Sequence, residues 1–168
     1  MALRDWIRRR VAAAFLRAEA LARDVEAREL RRRFAACGRG THIEPPVHVF
    51  NPQCIWLGER ISIRSYVRLE AVTAWKNGGS FGFTPRLEIG DGTLIQYLAH
   101  IGCNHRVVIG RNVGISAKVY ITDHVHLFED VERSPLEQEI SPGSEVVFED
   151  DVFLGEAVVV LPGVRIGR

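Results

Sequence analysis

Apolar residues recur at every sixth position along most of the chain. Two ladders of such residues run two positions out of phase, first between residues 107 and 121 and again between residues 146 and 166. Because a period of six matches neither the 3.6 of a helix nor an unbroken period of two, it indicates short strands interrupted at regular intervals. The ladders comprise Val107, Ile109, Val113, Ile115, Val119 and Ile121, then Val146, Phe148, Val152, Leu154, Val158, Val160, Val164 and Ile166, and earlier Leu57, Ile63, Leu69, Ile89, Ile95 and Ile101.

Each six-residue unit is predicted to form one flat face of a parallel solenoid, with three units to a triangular coil and the aliphatic side chain pointing inward. A single coil buries little apolar surface, whereas stacked coils share a core and pair their backbone groups. Glycine repeatedly follows the inward residue, which indicates positions too tight for a side chain. These glycines are Gly58, Gly90, Gly102, Gly110, Gly155 and Gly167. The pattern predicts a mainly β protein with its solenoid over residues 57–168.

The first 36 residues follow a different pattern. From Ala2 to Phe34 there is no Gly or Pro, and apolar residues recur in steps of three and four, which predicts an N-terminal amphipathic helical segment over residues 1–36. This segment carries ten Arg against five acidic residues. Two placements of its apolar stripe remain open: packing on the domain's end or a neighbouring subunit, and contact with an anionic membrane surface. Residues 37–56, which contain two glycines and the Pro45-Pro46 pair, are predicted as a linker and first irregular coil.

Composition limits the classes of function. The 168-residue chain, with 46% hydrophobic and 26% charged residues, is typical of one globular domain. Residues 37–168 are net acidic and have no basic and aromatic pattern, so no nucleic-acid partner is expected. Three scattered cysteines without CxxC spacing favour reduced thiols over a disulfide framework or a zinc site. Together with the lack of an apolar run of about 20 residues, these features predict a cytoplasmic protein.

Two stretches interrupt the six-residue period, and insertions in a solenoid are where function tends to gather. The first lies near residues 75–86 and is rich in glycine, but it lacks the spacing of a phosphate-binding loop. Its aromatic residues Trp75, Phe81 and Phe83, with Trp56, are candidates to line an acceptor groove by stacking on a sugar ring, although ordinary packing is the commoner role. The second insertion, near residues 123–145, begins with two histidines, His124 and His126.

Four segments of the repeat region carry a family resemblance that covers roughly residues 50–168. They read IGRNVGIS at residues 109–116, VYITDHVH at 119–126, VFLGE at 152–156 and LPGVRIG at 161–167. In order and spacing they resemble the hexapeptide-repeat acyltransferases, similar to galactoside, maltose and polysaccharide O-acetyltransferases. The resemblance implies a left-handed parallel β-helix, and it implies that His124, which ends a coil after Thr122-Asp123, is the catalytic base.

The activity implied by the resemblance is transfer of an acetyl group from acetyl-CoA to a hydroxyl of a sugar or cell-surface polysaccharide precursor, without a metal. An imidazole suits this reaction because its ordinary pKa of about 6.5 lets it take a hydroxyl proton near neutral pH. Asp123, Glu129 or a backbone carbonyl is expected to orient the imidazole. Gln96 is a candidate for polarising the thioester carbonyl or binding the acceptor. His126 is a candidate for catalysis or substrate contact, and an ordinary solvated loop histidine is an equal alternative.

The resemblance also implies a homotrimer with active sites at the subunit clefts, and it places Gly155 and Glu156 as candidate cofactor-binding residues. The acceptor is expected to be a small-molecule or lipid-linked saccharide. An Arg-rich helix would suit a peripheral position at the inner face of the cell membrane. The sequence reads as truncated, because it stops at Arg168 inside a repeat, where relatives continue with further coils.

Two other functions remain open at this point. A β-helix without the later coils could serve as a non-enzymatic scaffold or be an inactive enzyme. His100 and His105, five residues apart, resemble the metal-binding histidines of γ-class carbonic anhydrases. That resemblance is weakened because residues 49–99 contain no third histidine.

Overall fold

The computed structural model describes residues 2–75, 79–80 and 83–168. Within these ranges a long helix is followed by short strands. The helix α1 spans Ala2–Arg33 and a single 3-10 turn spans Pro52–Cys54. The strands are β1 (Ala36–Cys37), β2 (His42–Ile43), β3 (His48–Phe50), β4 (Ile55–Leu57), β5 (Ser62–Ile63), β6 (Arg68–Ala71), β7 (Ala74–Trp75), β8 (Gly79–Ser80), β9 (Arg86–Ile89), β10 (Leu94–Ile95), β11 (His100–Cys103), β12 (Arg106–Ile109), β13 (Gly114–Ile115), β14 (Tyr120–Thr122), β15 (Val146–Phe148), β16 (Phe153–Leu154), β17 (Val159–Val160) and β18 (Arg165–Ile166).

The strands form three parallel sheets, which are the three faces of one solenoid. The first sheet has the order β1-β4-β9-β12-β15-β18, the second β16-β13-β10-β5-β2, and the third β17-β14-β11-β6-β3. Consecutive strands of the chain therefore lie on successive faces, and each strand pairs with strands of the coils above and below. This is a parallel β-helix. The remaining pair, β7 and β8, is an antiparallel hairpin within the first predicted insertion.

The two predicted ladders both point into the core. Val107, Val113 and Val119 of one ladder and Ile115 and Ile121 of the other are at most 1% exposed. Burial of a full aliphatic side chain contributes roughly 1.5–3 kcal/mol, so stacked rows of Ile, Val and Leu account for the stability of a fold with such short strands. The inward direction inferred from the six-residue period is confirmed.

At three of the predicted glycines, Gly58, Gly90 and Gly110, the close approach of a neighbouring coil leaves no room for a side chain. A Cβ on Gly90 would lie 2.5 Å from the carbonyl oxygen of Gly110, and a Cβ on Gly38 would lie 2.5 Å from the backbone of Gly58. Real Cβ atoms do not come that close to backbone atoms. The predicted tight positions are therefore confirmed at Gly58, Gly90 and Gly110, and the prediction is wrong for Gly102, Gly155 and Gly167, where a Cβ would meet no described neighbour closer than 3.4 Å.

The solenoid begins earlier than the predicted boundary at residue 57. Within residues 37–56, which were expected to be a linker and irregular coil, β2 and β3 form a regular coil with β1. Their strands pair in register with the next coil, as in Ile43 opposite Ile63 and Val49 opposite Leu69. The six-residue ladder does continue back through Cys37, Ile43 and Val49, but the Pro45-Pro46 pair between them is typical of a linker, and the coil accommodates it at the corner between β2 and β3.

Helix α1 packs on the solenoid through its C-terminal part. Ala27, Leu30 and the following Phe34 are buried, and Arg31 donates a hydrogen bond to the carbonyl of Thr41. The last turns thus cover the open end of the first coil. The side chains along the stripe nearer the N-terminus are exposed, namely Ile7, Val11, Phe15, Leu21 and Val25. No helix in the described ranges is long and apolar enough to cross a membrane.

Candidate active site

A cavity of about 360 Å³ opens where the second insertion leaves the solenoid. Its walls come from the outer surface of the third sheet and from the beginning and end of the insertion. Arg68, Glu70, His100, Tyr120, His124 and His126 line it. The volume falls within the range of about 300–1,000 Å³ that is typical of small-molecule sites. The chain therefore places titratable side chains from three successive coils around one concave surface.

His124 is held by the residue that precedes it. Its Nδ1 lies 2.8 Å from Oδ1 of Asp123. Because an ionised carboxylate only accepts hydrogen bonds, this contact assigns the proton of the neutral imidazole to Nδ1 and leaves Nε2 as an acceptor. The histidine side chain is 15% exposed and that of Asp123 is 0% exposed. The pair has the arrangement that a general base and its orienting carboxylate require.

Asp123 is itself held by backbone N–H groups of residues 104–106, where the chain passes from β11 to β12. Its Oδ1 accepts the N–H of Asn104 at 2.8 Å, and its Oδ2 accepts the N–H groups of His105 at 2.9 Å and Arg106 at 2.8 Å. Burial alone would raise the pKa of Asp123, but the hydrogen bonds from His124 and these backbone groups together lower it below its usual value. The carboxylate is therefore charged at neutral pH and rigidly oriented.

The imidazole lies over a position that has no side chain. A Cβ on Gly102 would be 3.4 Å from Cε1 of His124 and 3.7 Å from Oγ1 of Thr122. Thr122 in turn donates from its hydroxyl to the carbonyl of His124 at 2.8 Å, which closes the turn. The glycine thus leaves room for the ring against the third sheet.

A second polar group faces the cavity beside His124. Glu70 Oε2 lies 3.3 Å from His100 Nε2 and 2.8 Å from Arg68 Nη2. The His100 ring also packs edge-on against Tyr120, with centroids 5.0 Å apart. The hydrogen bond with His100, followed by the contacts with Arg68, lowers the pKa of Glu70 despite its partial burial.

The other predicted residues of the second insertion have distinct positions. His126 lines the cavity and forms an antiparallel bridge with Ile140, which ties the two ends of the insertion together. Glu129 accepts the N–H of Phe128 on the exposed part of the loop. Of the carboxylates expected to orient the imidazole, Asp123 is therefore the one in contact with it.

Four predicted residues that the structure describes do not line this cavity, namely Gln96, Phe83, Gly155 and Glu156. Gln96 lies at a coil corner, where its backbone N–H donates to Ile115. Phe83 packs edge-on against His105 with centroids 5.2 Å apart. Gly155 is exposed, and Glu156 pairs with Lys118 at 2.8 Å. The backbone of Trp75 belongs to β7, Trp56 packs under the guanidinium of Arg86, and Phe81 lies outside the described residues.

His100 and His105, the two histidines considered for a metal site, contact different residues. His100 pairs with Glu70, whereas His105 packs against Phe83. Across the described ranges, no group of three or more His, Cys, Asp or Glu side chains is placed to hold a metal ion. The γ-carbonic-anhydrase alternative has no ligand set there.

Sequence reasoning missed the involvement of Glu70, Arg68 and Tyr120. The signal that could have found them is the register of the coils, because Thr122, Gly102 and Glu70 occupy one row across three strands. Thr122 and Gly102 are 20 residues apart, but the insertion near residues 75–86 lengthens the next step to 32. The row is therefore hidden from a fixed repeat length.

Comparison with known proteins gives one sequence relative and a set of similar structures. The relative is "Putative lipopolysaccharide biosynthesis O-acetyl transferase WbbJ" of Escherichia coli (strain K12), 33% identical over 129 residues. The match covers 73% of this chain and 61% of that relative. The chain thus spans less than two thirds of the relative's length. No family model matches the sequence.

The similar structures are those of AntD, an N-acyltransferase from Bacillus cereus. Its complex with dTDP-4-amino-4,6-dideoxyglucose and coenzyme A matches with a TM-score of 0.64 at 16% identity, covering 84% of this chain and 71% of that one. Its complex with dTDP and 3-hydroxybutyryl-CoA matches with a TM-score of 0.61 at 16% identity, covering 83% and 73%.

The fold is a parallel β-helix, which this chain shares with the AntD structures. The predicted fold class, a left-handed parallel β-helix preceded by an N-terminal α-helix, is confirmed. The resemblance read from the sequence is likewise confirmed by the sequence relative and by the structures.

Proposed function

We propose that this protein is an acetyl-CoA-dependent O-acetyltransferase that acts on a hydroxyl of a sugar or cell-surface polysaccharide precursor. The observation that carries the proposal is the Asp123–His124 pair, with its 2.8 Å contact, on the wall of a cavity of about 360 Å³. The name of the Escherichia coli relative supports the O-acetyl class, and the AntD complexes support a coenzyme A thioester as the donor.

In this proposal Nε2 of His124 takes the proton from the acceptor hydroxyl as its oxygen attacks the thioester carbonyl. Asp123 stabilises the imidazolium that forms, since its carboxylate stays charged. The tetrahedral intermediate then collapses with cleavage of the carbon–sulfur bond, and the coenzyme A thiolate recovers the proton from His124. Positioned acid–base catalysis of this kind contributes about 10²- to 10⁴-fold to a rate.

The candidate residues for binding acetyl-CoA, Gly155 and Glu156, lie on an open part of the surface. No atom lies within 4 Å of the place that a Cβ on Gly155 would occupy, so the pantetheine arm would have room there beside Glu156. His126 and Gln96 are retained as candidate substrate contacts, as are the aromatic residues Trp75, Phe81 and Phe83 of the first insertion.

The test is acetyl-CoA binding by calorimetry, followed by thiol release and mass spectrometry with a panel of sugars and nucleotide sugars. Acetyl-CoA binding with formation of an acetyl ester on a sugar supports the proposal. No binding of acetyl-CoA would refute it and favour the non-enzymatic scaffold.

We further propose that the enzyme is a homotrimer in which a neighbouring subunit completes each cavity. Phe153, Val159 and Leu161 are exposed apolar side chains on the coils next to the site, and a partner would cover them. Sedimentation equilibrium should give three times the chain mass of 18.9 kDa. A monomer at assay concentration would contradict this arrangement.

We also propose that helix α1 brings the enzyme to the inner face of the cell membrane, where a lipid-linked saccharide would be within reach. Ile7, Val11 and Phe15 form an exposed stripe, and Arg8 and Arg10 lie on its two sides by the 100° step per residue of a helix. Vesicles containing phosphatidylglycerol should sediment the protein, and Phe15→Asp should abolish this. The matched control is Leu16→Asp, which is equally exposed but off the stripe, and an equal loss in both would contradict the proposal.

A further inference from the structure

The carboxylate of Glu70 stands next to the proposed base on the cavity wall. On the third sheet, Glu70, Gly102 and Thr122 are register partners on three neighbouring strands. Neighbouring strands lie about 4.8 Å apart. The imidazole of His124 returns over Gly102, so it occupies the row directly beside Glu70. The missing side chain at Gly102 lets the ring lie there, in the row next to Glu70.

The Glu70 carboxylate can accept further hydrogen bonds, and its negative charge is balanced by Arg68. Arg68 pairs with it at 2.8 Å and His100 lies at 3.3 Å, both at Oε2. The Arg68 and Glu70 side chains are 46% and 23% exposed, so the carboxylate faces the cavity while its ion pair remains partly hydrated. A carboxylate has lone pairs for several donors, and Oε1 has capacity for hydroxyl groups.

We propose that Glu70 binds the acceptor through a hydroxyl next to the one that His124 deprotonates, and that its pairing with Arg68 selects a neutral polyol over an amino sugar. This inference rests on the proposed O-acetyl transfer. An ammonium group would compete with Arg68 for the same carboxylate and bring a second positive charge beside it, whereas a neutral diol needs only an acceptor oxygen. Glu70 therefore sets both the position and the charge class of the substrate.

The test is equilibrium binding of methyl glycosides of galactose, glucose and mannose, measured by saturation-transfer NMR on the full chain. We expect at least one of them to bind the wild type, and Glu70→Gln to weaken that binding about 10- to 100-fold, because a hydrogen bond to a charged group is lost. The matched control is Glu88→Gln. Glu88 also pairs with two guanidinium groups, those of Arg86 and Arg106, but on the first sheet, outside the cavity lining.

Three results would overturn the inference: no neutral glycoside bound by the wild type, equal binding by Glu70→Gln and the wild type, or tighter binding of the methyl glycoside of glucosamine than of glucose. Acetyl transfer is scored separately with the same glycosides. Glycoside binding that depends on Glu70 without any acetyl transfer would refute the proposed reaction and leave the acceptor site intact. Acetyl transfer that Glu70→Gln leaves unchanged would support the proposed reaction and refute the acceptor role of Glu70.

Discussion

His124→Ala should lower acetyl transfer from acetyl-CoA by about 10²- to 10⁴-fold, because the acceptor hydroxyl then loses its proton acceptor. The affinity for acetyl-CoA and for the acceptor should change little, since the imidazole is proposed to act on the reacting proton. Steady-state kinetics with thiol detection measure the rate, and calorimetry measures donor affinity. A fall in kcat at constant affinity is the signature of a group that acts in the transition state.

His126→Ala is the control from the same cavity. His126 lies two residues further along the insertion and bridges Ile140 through its backbone, which the substitution leaves in place. Because His126 is a candidate substrate contact, we expect this variant to keep most of kcat and to raise KM for the acceptor. If His126→Ala loses the activity and His124→Ala keeps it, the roles of the two histidines are reversed and the Asp123 contact is only structural.

The fold could be predicted from the sequence because its stabilising contacts repeat. Every inward position of Val107, Ile109 and their successors is marked by an aliphatic residue, and the tight corner at Gly90 is marked by glycine. The start of the solenoid was misplaced because the ladder of the first coil, Cys37, Ile43 and Val49, runs across the Pro45-Pro46 pair, which is typical of a linker. The proline pair thus hid a coil that the six-residue period supports.

The site could be predicted only where its residues are adjacent in sequence. His124 and Asp123 were found together because the local motif carries both. The partners of Asp123 are the backbone N–H groups of residues 104–106, which no side-chain pattern reveals. Glu70 reaches the same wall across an insertion that changes the coil length, so its place depends on three-dimensional register.

Helix α1 shows a different limit. Its apolar steps predicted a helix correctly, but the residues that pack on the domain's end, Ala27 and Leu30, lie about 100–160° around the helix from Val11 by the 100° step per residue. The pattern did not identify the face that packs, because the stripe from Ile7 to Val25 is exposed. Whether this exposed stripe is covered depends on another molecule, which the sequence of this chain does not specify.

Asp123→Asn should destabilise the protein by about 3–5 kcal/mol at neutral pH, because hydrogen bonds to a buried charged group contribute about 1.5–3 kcal/mol each and a buried donor left without an acceptor adds a further cost. The side chain accepts three backbone N–H groups and the imidazole through two oxygens, and an amide replaces one oxygen with a donor. Acetyl transfer should fall as well, since the proton on Nδ1 of His124 loses its acceptor. Urea unfolding at several pH values measures the stability difference. Asp91→Asn is the matched control, because its carboxylate accepts the single backbone N–H of Glu59 at 2.8 Å, for an expected loss of about 1 kcal/mol.

The pH dependence of the free energy of unfolding distinguishes a role of the Asp123 charge from a role of its side-chain shape. Its pKa in the folded protein is lowered, so its charged form stabilises the fold fully above the unfolded pKa of about 3.9, and this stabilisation is lost as the pH falls through the folded value. The difference in free energy of unfolding between wild type and Asp123→Asn should thus be present at neutral pH and narrow in acid, as the carboxylate of the folded wild type becomes protonated. A gap that stays the same below pH 4 would mean that the fold depends on the shape of this side chain and not on its charge, and the carboxylate would lose its role in holding the imidazolium.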